Sequence, residues 1–229
     1  MTTPAEFPRR TPLRRLLDEK SAQWAPLGDA AVAQSISGAA KIGALAIADL
    51  SPLPRLGFKG AGTMDAALKR NIALEPIPNR AFRQADGSLC LVLARSEIIL
   101  LSNLKGDGGT LLQLETGWSI EAGERTYPMP RRDSHAWLLV AGMAAPAMFA
   151  KICAIDLRLD QFPDLSIAQT SVAKMSAIVT RADIGAMPAF HVLADSAAAL
   201  YFCGCICDAA EEFGGHLVGL AAVQELENR

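Results

Sequence analysis

Two stretches decide how this chain folds: RLGFKGAGTMDAALKR at residues 55–70 and WLLVAGMAAPAMFAK at residues 137–151. Each opens on a short apolar run, breaks at a glycine, and continues with small and apolar residues suited to a helix. The first helix is expected to take Thr63 as its N-cap, carry Asp65 in its first turn and close on Lys69 and Arg70, all favourable to the helix dipole. The second places Pro146 in its first turn, where a missing N–H costs nothing. Aligning Gly60 with Gly142 also aligns Lys69 with Lys151. Strand, glycine turn and helix in the same order twice predict a duplicated α+β unit built on antiparallel sheets.

Working outward, residues 89–94 and 97–102 read as a hairpin turning at Arg95-Ser96, and residues 171–180 and 189–193 as a further strand pair. A short strand at 44–49 ends at Ser51-Pro52, and Asp107-Gly108-Gly109 marks a turn. Residues 196–213 form a helix stopped by Gly214-Gly215; it is apolar all round, so it is expected to be covered on more than one side. The small residues of 29–40 suit a helix. Residues 1–27, punctuated by Pro4, Pro8, Pro12 and Pro26, read as an arm with one short helix at 13–20, and its Arg9, Arg10, Arg14 and Arg15 as solvated charges. The main domain is placed at 28–215, with two subdomains meeting near 105–133, and 216–229 is left as a tail. Residues 104–132 receive no element assignment beyond the turn, and 121–132 read as irregular.

In 229 residues, 51% hydrophobic and 20% charged, the chain has ample material for a core and none of the profile of disorder. A net charge of −2 lacks the positive field that nucleic acid or acidic lipid would need. The longest uncharged run, 136–150, is broken by Gly142 and Pro146 and is too short to span a membrane. No apolar leader follows Met1, and five cysteines are an odd number, so reduced thiols and a cytoplasmic location are expected.

Gly57, Gly60 and Gly62 precede a helix, as in phosphate-binding turns, but the glycine fingerprint is incomplete and Asp65 would repel an anion. Tight strand-to-helix packing is the expected role. Cys203, Cys205 and Cys207 lie on the predicted helix, where Cys205 points away from the other two and no fourth ligand is near. No metal site is predicted there, and Cys203 and Cys207 are expected to be buried and slow to react. His135, His191 and His216 are too scattered to define a catalytic base.

Ala48-Asp49-Leu50-Ser51, followed by 55–60 and an alanine-rich helix, resembles the opening of the aminomethyltransferase (glycine cleavage T-protein) superfamily. Leu138 to Gly142, Ala145-Pro146-Ala147, Ile152-Cys153-Ala154-Ile155-Asp156-Leu157, Phe162-Pro163 and Ala168-Gln169-Thr170 resemble the gamma subunit of heterotetrameric sarcosine oxidase within it. The K-G-C-Y-x-G-Q-E sequence of the folate-binding iron–sulfur repair proteins is absent. The resemblance spans about 29–215 and implies an aminomethyltransferase-like, folate-binding-domain fold. It also implies a subunit that catalyses nothing alone, in a complex whose other chains carry FAD, FMN, NAD, tetrahydrofolate and zinc.

The sequence departs from folate-using relatives at the points that matter for catalysis. Where the T-proteins carry Y-T-G-E, this chain runs Ala182-Asp183-Ile184-Gly185-Ala186-Met187-Pro188 without a glutamate. Near the Gly87 hairpin, Leu89 or Cys90 stands where the resemblance implies a catalytic aspartate. Asp183 and Asp86 remain as weak folate candidates, and no residue is assigned a catalytic role. The competing expectations are a free-standing tetrahydrofolate-dependent aminomethyl or methyl transferase, and a stand-alone small-molecule binding protein.

Overall fold

The structure, a computed structural model, describes residues 2–38 and 42–227. In chain order its elements are α1 (Arg14–Glu19), β1 (Ala22–Leu27), β2 (Ala30–Ile36), β3 (Ala46–Asp49), β4 (Arg55–Lys59), α2 (Thr63–Lys69), β5 (Arg80–Arg83), β6 (Leu89–Ala94), β7 (Glu97–Leu101) and α3 (Gly109–Thr116). There follow β8 (Tyr127–Met129), β9 (His135–Ala141), α4 (Ala145–Phe149), β10 (Ile167–Val172), β11 (Met175–Arg181), β12 (Ala189–Asp195), α5 (Ala199–Glu211), β13 (His216–Val218) and α6 (Leu220–Glu227).

The duplication read from the two glycine stretches is present, and it carries a strand exchange. Each half runs leading strand, strand, glycine, helix, three-strand meander and helix, with β3 leading the first half and β8 the second. The first sheet has the order β5-β6-β7-β4-β8 and the second β10-β11-β12-β9-β3-β13. Thus β3 pairs antiparallel with β9 of the second half, and β8 pairs antiparallel with β4 of the first.

The glycines make that exchange sterically possible. Gly60 sits at φ +151° and Gly142 at φ +141°. A Cβ at Gly60 would lie 2.1 Å from the Arg125 carbonyl oxygen, and one at Gly142 would lie 2.2 Å from the Ala44 oxygen. Both oxygens belong to the approach of the exchanged strand. The two glycine N–H groups also bond alike, Gly60 to the Ser96 oxygen before β7 and Gly142 to the Pro188 oxygen before β12, each at 2.9 Å.

The sheets stack face to face with helices outside, so most strands are buried on both sides. Leu89, Leu91 and Leu93 of β6 face Trp137, Leu139 and Leu193 across the space between the sheets. Cys90 and Val92, of opposite parity, pack under α2 and α3 with Met64 and Leu114. On the far side, Leu138 and Val140 join Met148, Phe149, Phe202 and Ile206 beneath α4 and α5. Double-sided burial is why these strands read as continuous apolar runs rather than alternating ones.

Several expectations are corrected. The stretch 29–40 is not a helix: Ala30–Ile36 is strand β2, paired antiparallel with β1, and 39–40 lie outside the described residues. Its small residues gave no periodicity, so tertiary pairing decided. The presumed arm is docked, because Leu13 and Leu17 are fully buried in the core under α5. Arg9 is not solvated either; its Nε bonds Asp29 at 3.1 Å and its Nη2 donates to the Pro52 oxygen. In the presumed tail, β13 pairs in parallel with β3, and α6 buries Leu220, Val223 and Leu226. Residues 171–180 are divided by a turn at Ala173 and Lys174, both at positive φ, and the unassigned middle holds α3 and β8. Gly62, rather than Thr63, is the N-cap of α2. Among the described residues no helix is long and apolar enough to cross a membrane.

Gly60→Ala and Gly142→Ala should each lower the urea midpoint by the equivalent of about 3 kcal/mol or more, from a forbidden φ plus a clash with backbone. Gly204→Ala is the contrast. It lies within α5 with nothing within 4 Å of the added carbon, and should stabilise by about 0.5–1 kcal/mol.

Candidate functional site

The strand exchange forces two connections, β3 to β4 and β8 to β9, to run past each other, and the main buried polar cluster sits at that crossing. Arg55 opens β4 and is only 2% exposed. Its Nε donates to the Arg131 oxygen at 2.7 Å, Nη1 to Ser51 at 3.2 Å, and Nη2 to the oxygens of Arg132 and His135. Burial, with Arg9 nearby, pulls its pKa down to about 10, so the guanidinium stays charged at neutral pH. Its positive end also lies 5.9 Å from the Trp137 ring centroid.

Asp49, at the end of β3, accepts from Thr11 Oγ1 at 2.5 Å and from the Ser51 amide at 3.0 Å. Burial pushes its carboxyl above the ordinary value despite those bonds. Ser51 Oγ accepts the Trp137 amide, and Trp137 Nε1 donates to His191 Nδ1, both at 3.0 Å. His191 is therefore the neutral, Nε2-protonated tautomer, and burial drives its pKa to about 3. With its side-chain donors and acceptors directed at backbone carbonyls, amides and one another, this cluster is built to hold the crossing.

The two folate candidates are not brought together. Asp86 lies in the β5–β6 turn, where it accepts from the Ser88 amide at 2.9 Å, from Ser88 Oγ at 2.6 Å and from Thr110 Oγ1 at 2.9 Å. Partial burial pushes this carboxyl up, but the bonds from Ser88 and Thr110 outweigh it and leave it below the ordinary value. Asp183 follows β11 and forms a two-point pair with Arg181, at 2.9 Å to Nε and 2.7 Å to Nη2. Arg83 donates to the Asp183 carbonyl oxygen and to Asp164, tying this loop to β5. The loop then closes through reciprocal bonds between Ile184 and Met187, and Ile184 packs with Val223 and Leu226 of α6.

Leu89 and Cys90, at the position of the expected aspartate, are buried and face the two cores on either side of β6. Burial pushes the Cys90 thiol up to about 12. The cavity under α2 and α3, lined by Phe58, Leu100 and Trp118, has room of about 20 Å³, enough for about one water and far too little for a pterin. Gly60 and Gly62 serve close packing, as the incomplete fingerprint implied: their missing side chains admit the carbonyls of Arg125 and Glu124.

On α5, Cys203 Sγ lies 4.0 Å from Cys207 Sγ, while Cys205 is half-buried on another face. Cys203 is fully buried, but Cys207 is half-buried, which corrects the expectation that both are shielded. Their contact, with burial, raises the Cys203 thiol, and the same contact lowers Cys207. Among the described residues no three His, Cys, Asp or Glu side chains converge in a geometry for a metal.

Sequence reasoning missed the crossing cluster. Its signals were an aspartate, Asp49, and an arginine, Arg55, each embedded in apolar surroundings, where a charge is retained only if it is paired or bonded.

The layered, strand-exchanged architecture belongs to a known class, the folate-binding-domain fold of the aminomethyltransferases. No protein-family model matches the chain, and no curated protein does. Among solved structures, it is similar to the glycine cleavage system aminomethyltransferase T of Bartonella henselae, with TM-score 0.74 and 14% identity over 96% of this chain. It spans 62% of the length of that protein. It is also similar to a chain of heterotetrameric sarcosine oxidase from Corynebacterium sp. U-96, solved with pyrrole 2-carboxylate, with TM-score 0.62 and 19% identity over 91% of this chain and 97% of that one.

Two measurements follow from the site. His191 has a folded-state pKa below its unfolded value of 6.5, so its contribution to stability is complete above that pH and is lost as pH falls towards about 3. His191→Gln should flatten the fall in unfolding free energy across this window by on the order of a few kcal/mol, as read by urea titrations at stepped pH. Timed native labelling with a thiol reagent, analysed by peptide mass, should modify Cys207 well before Cys203.

Proposed function

We propose that this chain is a non-catalytic, gamma-like subunit of a heteromeric, flavin-dependent oxidase acting on sarcosine or a related N-methyl amino acid. The observation that carries this reading is the fate of the two acids nearest a folate role: Asp86 is used up in a turn and Asp183 in an ion pair with Arg181. A buried pterin needs fixed hydrogen-bond partners, and each one missing costs about 1–3 kcal/mol. The space between the sheets, filled by Leu89, Leu91, Trp137 and Leu193, supports the same reading. The likeness in fold to a chain of a heterotetrameric sarcosine oxidase points to larger subunits as partners. Flavins, NAD, tetrahydrofolate and zinc would then reside in those other chains, and this one would contribute packing surface and stability in the cytoplasm.

The test has two arms. Co-expression with the larger flavoprotein subunits of a sarcosine oxidase-type complex from the same organism should give one species on size exclusion, with flavin absorbance that the isolated chain lacks. Titration of the isolated chain with 5-formyltetrahydrofolate should leave its melting temperature unchanged, since any ligand binding the folded state raises it by mass action. A saturable rise abolished by Asp183→Ala or Asp86→Ala would overturn this reading and favour a folate-dependent transferase or folate-binding protein instead.

A further inference from the structure

We propose that Cys203 and Cys207 form a two-coordinate binding site for a thiophilic monovalent cation of the copper(I) type, entered from the cleft beside α5. The two residues are one helical turn apart, which stacks their side chains on one face. Their sulfurs lie 4.0 Å apart. A disulfide is denied to them while the helix is intact, because it needs Cβ atoms about 3.5–4.5 Å apart, and positions one turn apart in a helix hold them at about 5–6 Å. The spacing suits a bridging ion. Two metal–thiolate bonds of about 2.3 Å, the zinc–thiolate length, reach at most about 4.6 Å, so an ion bridging the observed 4.0 Å is bent to about 120°, and rotation of the half-buried Cys207 side chain that widens the gap by about 0.6 Å straightens it without unwinding α5.

The surroundings favour a cation that is soft and needs few ligands. Cys207 opens into a cleft of about 440 Å³ lined also by Lys20, Asp208, Glu211 and His216. Asp208 and Glu211 are exposed and have no ion-pair partner among the described residues, so the mouth is a place where cations concentrate. Glu211 stands a further turn along the face that carries Cys203 and Cys207. On the protein side, Cys203 is sealed among apolar residues of the core. Among the described residues no third ligand converges there, which disfavours zinc, whose structural sites take four ligands, and leaves thiolate-selecting copper(I). Binding one Cu⁺ displaces the protons of both thiols to water and leaves a bis-thiolate unit of charge −1. Lys20, whose positive charge acts on Cys207, offsets it.

The experiment is an anaerobic titration of the full chain against the coloured copper(I) complex of bicinchoninate, following loss of colour. One equivalent should transfer to the protein. Cys207→Ser should weaken transfer by more than about 100-fold, the upper range seen when even the outer partners of a metal site are changed. Cys203→Ala should do the same, and Cys205→Ser should leave transfer unchanged. Melting curves of each variant establish that it is folded, and Cys207→Ser, at a half-buried position, decides the matter if Cys203→Ala does not fold. Wild-type transfer by Cys207→Ser, equal weakening by Cys205→Ser, or no transfer to the parent chain would each overturn the proposal.

Discussion

The whole architecture depends on two chain connections passing each other at close range. Exchange of β3 and β8 between the sheets brings backbone carbonyls of both connections together at a part-buried crossing, where such groups are costly unless bonded. Arg55 meets this constraint with a single side chain. Its planar fork gathers carbonyls from its own half, at Ser51, and from the opposite half, at Arg131, Arg132 and His135. A lysine in the same place would offer a point charge and three donors on a flexible stem, without the fixed fork that these four acceptors share.

From that crossing the rest follows outward. With each half donating its leading strand to the other, neither sheet is complete without the opposite half, so the duplicated units make up one body that shares both sheets. The docked N-terminal segment belongs to the same body, since Thr11 bonds Asp49 beside the crossing while Leu13 and Leu17 anchor below α5. The C-terminal segment closes the opposite side through β13 and α6.

The glycine turns, helix starts and meander strands were legible because each depends on local chemistry: Gly142 before Pro146, or the apolar run ending at Arg95-Ser96. The strand exchange was not legible, since nothing local distinguishes a strand that pairs within its own half from one that pairs across. The same reason accounts for β2. Ala30–Ile36 carries no period that separates helix from strand, and only its pairing with β1, in a stretch that reads as an arm, fixes it. At the candidate site, the sequence isolated Asp86 and Asp183 as the acids to examine, and their nearest partners, Ser88 and Arg181, are two residues away; Thr110 and Asp164, which complete the bonding, are distant in the chain and spacing alone does not connect them.

The distribution of polar chemistry in this chain is uneven, and that unevenness separates support from reactivity. In the interior, Arg55, Asp49, Ser51, Trp137 and His191 are directed at backbone and at one another, and the bonds that satisfy them fix the crossing in one geometry. A catalytic group needs the opposite condition, a donor or acceptor left open to a reacting atom at the bottom of a cleft. Capacity to spare is found on the helical layer, where Cys207 opens beside Lys20, Asp208 and Glu211, and in the interior at Thr180 Oγ1, a buried hydroxyl without a hydrogen-bond partner among the described residues. The polar groups of the crossing are tied to the fold through backbone carbonyls and amides, while Cys207 and its neighbours on α5 lie where the strand pairing does not depend on them.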